Sequence, residues 1–328
     1  MLNQQEMKII KHIFFAAILI WSSCGSDESG DDVDYKQEMR TFVQNLSYYA
    51  KGFDADFIII PQNGQELVTD NGDTDGNPVT SYLNSIDGAG REDLFFGYDE
   101  DDIATPKIEK DYMLVFLDVC EENDVEVLVT DYCFSHEKID ESYAKNYAKG
   151  YISFAAPERE LNVIPDYPPE PYNANADDIK SLADARNFLF LLNPENFASK
   201  QDFISALSET NYDVIIMDCF FDEEEYAFSE IDTLKTKKNG GKRLVISYMS
   251  IGEAEDYRYY WQSTWQSNPP NWLAGENPDW EGNYKVRYWA KEWQNIIYGN
   301  ESSYICKIII TGFDGVYLDI IDAFEYFE

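Results

Sequence analysis

What most constrains the fold of this chain is a rhythm of eight short runs that stay apolar almost from end to end. They are residues 56–61 (DFIIIP), 93–97 (DLFFG), 125–131 (VEVLVTD), 150–155 (GYISFA), 187–193 (NFLFLLN), 212–218 (YDVIIMD), 243–250 (RLVISYMS) and 313–321 (FDGVYLDII). A strand with one wet face alternates apolar and polar side chains. Continuous runs rich in β-branched and aromatic residues instead suit strands covered on both faces, as in parallel sheets.

Helical patterns fill the gaps. Met39, Phe42, Val43, Leu46 and Tyr49 recur at helical spacing, and residues 112–120 form an apolar stretch that stops at acidic residues. Ser199 is placed to cap a helix carrying Phe203 and Leu207, and Trp289, Trp293, Ile296 and Ile297 mark a further face. Strands alternating with helices give βαβ units, and eight such units give a closed (β/α)8 barrel. The pattern begins with a helix near residues 35–51 and finishes on a strand near 313–321, the reverse of the usual order. A closed ring can be cut anywhere, so the order predicts an α/β barrel that is circularly permuted, helix first and strand last.

The barrel is expected to occupy residues 35–328. Residues 1–24 read as a lipoprotein signal peptide. Lys8 and Lys11 precede an apolar run, 13–21, that is too short to span a bilayer, and Ser22-Ser23-Cys24 closes it. A Cys after two small residues resembles a bacterial lipobox, which makes Cys24 the lipidation position. Residues 25–34 (GSDESGDDVD) read as an acidic flexible tether. The expected location is the cell envelope, as an exported surface or periplasm-facing lipoprotein held at the outer membrane by its lipid.

Charge and composition remove several function classes. The formal net charge is -37, a field that repels nucleic acid and attracts a cationic partner; keeping an exported protein in solution is itself a sufficient reason for much of it. Cys120, Cys133, Cys219 and Cys306 show no CxxC spacing, so no zinc site is expected. Only His136 follows the leader. Ser-His-Asp chemistry and catalytic zinc both lean on histidine, so neither fits, and no cofactor is expected. Carboxylates remain as the natural acid and base.

Three long motifs then carry a family resemblance: residues 247–261 (SYMSIGEAEDYRYYW), 268–294 (NPPNWLAGENPDWEGNYKVRYWAKEWQ) and 312–327 (GFDGVYLDIIDAFEYF). They resemble glycoside hydrolase family 114, and more closely its bacterial extracellular branch once labelled cysteinyl-tRNA synthetase-related. Residues 59–67 (IIPQNGQEL), 87–97 (DGAGREDLFFG) and 127–132 (VLVTDY) resemble later strands of the same TIM barrel. The family's usual first half comes second here, in line with the permuted order. No HIGH-like or KMSKS-like motif supports the old synthetase label.

The resemblance implies a glycosidase that cuts an α-1,4-linked galactosamine polymer, a cationic amino-sugar polysaccharide, with a pair of carboxylates. Its Asp after the DGV strand matches Asp319, and its Glu two strands later matches Glu92. Asp319 is then nucleophile or base and Glu92 the acid, with roles that can swap. Barrel active sites lie at the strand C-termini, and glycoside hydrolysis needs one protonated and one ionised carboxyl group. A ring of acids helps keep one protonated by mutual repulsion. Asn63, Asp131, Asp218, Tyr248, Glu253, Arg258 and Asp322 are candidates to bind substrate around the pair.

All tryptophans after the leader fall between Trp261 and Trp293. Indole faces stack on sugar rings and attract cations, so Trp272 and Trp280 are expected to line a polysaccharide groove. Trp261, Trp265, Trp289 and Trp293 are expected in the core. The rival to a hydrolase is a non-catalytic carbohydrate-binding surface lipoprotein built on the same barrel.

Overall fold

The computed structural model describes residues 33–328; the expected signal peptide with Cys24 and nearly all of the expected acidic tether lie outside the described residues. Helix α1 (Tyr35–Lys51) forms where its apolar spacing predicts. Asp34 caps it, accepting from the Gln37 backbone N–H at 2.9 Å, an interaction worth about 1 kcal/mol. Met39, Phe42, Val43 and Leu46 are wholly buried along one face.

Eight strands pair in parallel: β1 (Ile58–Pro61), β2 (Gly88–Glu92), β3 (Glu126–Tyr132), β4 (Ile152–Ala156), β5 (Phe188–Phe190), β6 (Val214–Asp218), β9 (Leu244–Ser250) and β13 (Gly315–Asp319). The remaining strands are antiparallel and sit in loops. They are the short hairpin β7 (Phe220–Phe221) with β8 (Glu224–Glu225), and the three-stranded sheet of β10 (Glu253–Glu255), β11 (Leu273–Glu276) and β12 (Asn283–Val286). The parallel order is β1-β13-β9-β6-β5 in one sheet and β2-β3-β4 in a second. Parallel bridges at Gln62–Gly90 and Ser153–Asn187 link β1 to β2 and β4 to β5.

Between strands run α2 (Lys107–Glu121), α3 (His136–Lys149), α4 (Lys200–Ser208), α5 (Phe228–Leu234), α6 (Lys291–Ile297) and α7 (Tyr304–Thr311). Ser199 caps α4 by accepting from the Asp202 N–H. The crossover from β4 to β5 departs from the alternation: it is extended chain with a single 3-10 turn, Leu182–Asp184. The result is a mixed α/β fold around parallel strands, as the continuous apolar runs predict.

One predicted strand is misplaced. Residues 93–97 are a loop, and the strand is the preceding Gly88–Glu92. Leu94, Phe95 and Phe96 are buried all the same, so the run signals burial and not extension. The sheet position falls to small residues because the space is filled from across the sheet. A Cβ on Gly90 would lie 2.2 Å from the Tyr317 hydroxyl.

The two described ends meet. Lys36 Nζ bonds Glu328 at 2.6 Å, the Tyr288 hydroxyl donates to the Tyr35 carbonyl at 2.8 Å, and the Tyr35 ring packs on Trp289 and Phe327. Cys120, Cys133, Cys219 and Cys306 are buried and free. Among the described residues no helix is long and apolar enough to cross a membrane.

Candidate active site

Parity along the strands decides which polar groups meet. Side chains two apart share a face. Tyr317 packs against Phe190 of β5 at 5.2 Å between ring centroids, so its ring lies on the sheet face that it shares with Phe190. Asp319, two residues on, shares that face. On β2, Gly90 makes room for the Tyr317 ring, and Glu92 is two residues on. Asp319 and Glu92 thus rise from the C-terminal ends of their strands above one aromatic floor.

Each carboxylate is held by the tyrosine of a neighbouring strand. The Tyr248 hydroxyl (β9) donates to Asp319 Oδ2 at 2.6 Å, and the Ile320 N–H donates to Oδ1 at 2.8 Å. The Tyr132 hydroxyl (β3) donates to Glu92 Oε1 at 2.5 Å. Asn63, just past β1, grips Glu92 twice: its Nδ2 donates to Oε2 at 3.0 Å, and its Oδ1 accepts from the Glu92 N–H at 3.3 Å.

Burial raises the Asp319 pKa to about 7, with the charges of Glu92 and Asp322 pushing the same way and Tyr248 opposing them. Asp322, on the 3-10 turn after β13, is pushed to about 6 by burial and by Glu325. Arg91 adds the counter-charge on this side of the site, its Nη1 bonding Gln65 Oε1 at 3.0 Å.

The backbone is strained at the same place. Asn63, Asp93 and Ile320, each the first or second residue past β1, β2 and β13, have φ near +60°. For a β-branched residue such as Ile320 that is a rare conformation, and such strain concentrates at functional sites.

A second cluster borders the first. Arg258 binds Asp218, at the end of β6, through Nη1 at 2.9 Å and Nη2 at 2.6 Å, and Glu255 through Nε at 2.6 Å. All three are nearly buried. Asp218 pairs in register with Tyr248, so the ion cluster adjoins Asp319 through one tyrosine.

Three expectations need correction. Asp131 does not face the strand ends. It lies between Thr130 and Tyr132 in parity, on the helix-facing side, and is wholly buried. Its Oδ1 accepts from the Phe95 and Phe96 N–H groups at 2.8 and 3.2 Å, and its Oδ2 from Ser142 at 2.6 Å and Asn146 at 3.1 Å. It pins the loop after β2 and has no capacity left for a ligand. Glu253 is likewise enclosed, accepting from Asn277, Tyr326 and Asn283. It ties the β11–β12 hairpin to the C-terminal turn.

Trp272 lines no groove. It is buried against Trp265 and Trp293 at 4.9 and 5.1 Å, because an apolar ring of that size gains more from the core. Trp280 alone of the two is open, at 63% exposure.

Sequence reasoning missed Tyr317, Gly90 and Arg159. The Arg159 guanidinium lies 4.1 Å from the Tyr132 ring centre and bonds Asp93 and Asp101, bracing the side chain that holds Glu92. The spacing of two between Tyr317 and Asp319 was the available signal for the first. Nothing local announces Arg159. Among the described residues no group of three or more His, Cys, Asp or Glu could hold a metal ion.

Carboxylates gathered at the C-terminal ends of parallel strands, one with its pKa raised to about 7, form the kind of site that glycoside hydrolases use. Residues 193–328 match the family model described as Glycoside-hydrolase family GH114. The match includes Asp218, Tyr248, Arg258 and Asp319; Asn63 and Glu92 lie outside it.

The chain is also similar to uncharacterized proteins of three organisms. It is 49% identical over 124 residues to one from Methanocaldococcus jannaschii, covering 38% of this chain and 34% of that protein. It is 39% identical over 120 residues to one from Thermotoga maritima, covering 37% and 36%, and 35% identical over 122 residues to one from Deinococcus radiodurans, covering 37% of each. The chain thus spans about a third of the length of the curated relatives it matches.

Proposed function

We propose that this protein is a glycoside hydrolase that cleaves an amino-sugar polysaccharide with Asp319 and Glu92. The observation that carries the reading is the state of Asp319: a carboxyl group raised to about 7 by burial and by Glu92, yet gripped by two donors. Two nearby carboxyl groups that repel one another share a proton, and glycoside hydrolysis needs one protonated and one ionised. Asp319 and Glu92 each accept from two donors, so those bonds do not separate them. Asp319 is nucleophile or base with Glu92 the acid, or the roles swap, and the raised pKa of Asp319 favours the swap. Asn63 and Tyr132 orient Glu92, and Asp322, Asp218 and Trp280 border the bound chain.

A galactosamine polymer is the substrate that the motifs around Ser247–Trp261 suggest and that the charge of -37 supports. The eight parallel strands make a circularly permuted (β/α)8 barrel. The bridges at Gln62–Gly90 and Ser153–Asn187, and the contact of α1 with the chain's last residues, support that closure. Lipid on Cys24 anchors the protein at the cell envelope, which radiolabelled palmitate incorporation into the parent but not Cys24→Ala would test.

The decisive assay incubates the protein with partially deacetylated galactosamine polymer and counts new reducing ends. Wild type should release them, and Asp319→Asn and Glu92→Gln should each lose on the order of 10²–10⁴ in rate. Binding by wild type without any release would replace this reading with the non-catalytic carbohydrate-binding lipoprotein.

A further inference from the structure

We propose that the cleft between the β7–β8 hairpin and the segment after β10 is a second sugar position, which takes a cationic ring of the polymer beyond the one at Asp319. The proposal rests on the glycosidase reading. The cleft has a volume of about 300 Å³ and is lined by Phe220, Asp222, Glu223, Tyr257, Arg258 and Tyr259.

Its walls are unusual for exposed aromatics. Tyr257 and Tyr259 are 56% and 41% exposed, yet both are fixed. The Tyr257 hydroxyl donates to Glu255 at 2.5 Å, and Tyr259 stacks on Phe220 at 5.9 Å and meets Tyr304 edge-on at 5.7 Å. Tyr259 lies between Phe220 and the Lys307 ammonium, 4.6 Å from its ring centre, whereas Tyr257 has Arg258 at 5.2 Å from its ring centre and stays the more open of the two. A ring held rigid with an open face loses little entropy when a ligand packs on it.

The charge selects the ligand. Arg258 is a guanidinium already neutralised by Asp218 and Glu255, so it supplies a rigid base and no spare positive charge. Asp222 and Glu223 stand exposed and unneutralised by it, leaving the cleft negative. An aromatic wall beside carboxylates favours a ring that carries an ammonium group and disfavours an acidic sugar. Position makes the cleft part of one binding track. Arg258 binds Asp218, Asp218 is in register with Tyr248, and Tyr248 bonds Asp319. Asp218 is two strand spacings, roughly 10 Å, from Asp319, and the cleft lies beyond it on the side of Arg258.

The test measures kcat/KM on α-1,4-galactosamine oligomers of two and six units for wild type, Tyr257→Ala, Tyr257→Phe and the double variant Asp222→Asn/Glu223→Gln. Tyr257→Ala and the double variant should lose about five- to tenfold on the hexamer and nothing on the dimer, which cannot reach the cleft. Tyr257→Phe, which keeps the ring and loses only the bond to Glu255, should keep hexamer activity. Equal losses on both lengths, or no loss on either, would overturn the second position while leaving the hydrolase intact. A wild type inert on every oligomer would overturn the hydrolase reading itself.

Discussion

The Tyr248 hydroxyl donates to Oδ2 of Asp319 at 2.6 Å across the β9–β13 pair, and it is the strongest counterweight to the burial that lifts Asp319 to about 7. If Asp319 must be ionised to act, kcat/KM should rise with pH to a plateau, with an apparent pKa near 7. Tyr248→Phe removes a bond that favours the carboxylate, so the limb should move to higher pH. A limb that falls with pH through the same region would instead assign the proton to Asp319 and the swapped roles to the pair.

The same group links pH to stability. An unfolded Asp ionises near 3.9, and the folded one near 7. The unfolded state therefore loses its proton first as pH rises. Asp319's contribution to stability is whole below about pH 4 and is lost as pH climbs through 7. Asp319→Asn should flatten the decline of denaturation midpoint between those limits.

Asn63 makes two bonds to Glu92. Asn63→Ala frees the Glu92 side chain to swing on Tyr132 alone. Misplacement of a catalytic group by an ångström costs about 10²-fold, so kcat should fall by roughly that factor with KM little changed. A rise in KM at constant kcat would mean Asn63 touches substrate instead.

Arg258 is enclosed with two carboxylates. Arg258→Met leaves Asp218 and Glu255 buried without a counter-charge, a change that costs about 3–5 kcal/mol. Urea denaturation should show that loss at neutral pH and a smaller one in acid, where the carboxyls can take up protons.

Gly90→Ala puts a Cβ at 2.2 Å from the Tyr317 hydroxyl and 2.6 Å from its Cζ. Overpacking of this kind costs about 1–3 kcal/mol. Adding Tyr317→Leu, which withdraws the ring, should recover most of the stability. If Gly90→Ala alone is neutral, Tyr317 is not a fixed floor.

How far the site was legible depends on what kind of signal each residue carries. Asp319 and Tyr248 end or interrupt long apolar runs, and such polar residues at strand ends are visible in one dimension. Asp131 looks the same in one dimension and points the other way, because a single step along a strand reverses the face. Glu92 is reached through the family resemblance, as an acid beside an apolar run. That run reads as a strand, since Leu94, Phe95 and Phe96 are as apolar as any strand, and burial leaves the same mark whether the backbone is extended or looped.

The sequence by itself determined the parallel α/β plan, through continuous apolar runs, seven of which are strands covered on both faces, and the first helix, through its apolar spacing. With His136 the one histidine past residue 12, it also pointed to acids as the groups for proton chemistry. Tertiary structure alone decided that Asp319 and Glu92 share one floor, that Arg159 braces Tyr132 from the β4 loop, and that Trp272 and Glu253 are enclosed. The reason is physical: propensity and hydrophobic periodicity act between near neighbours in the chain, whereas a pKa lifted to about 7 is made by burial and charges contributed from segments more than two hundred residues apart in sequence.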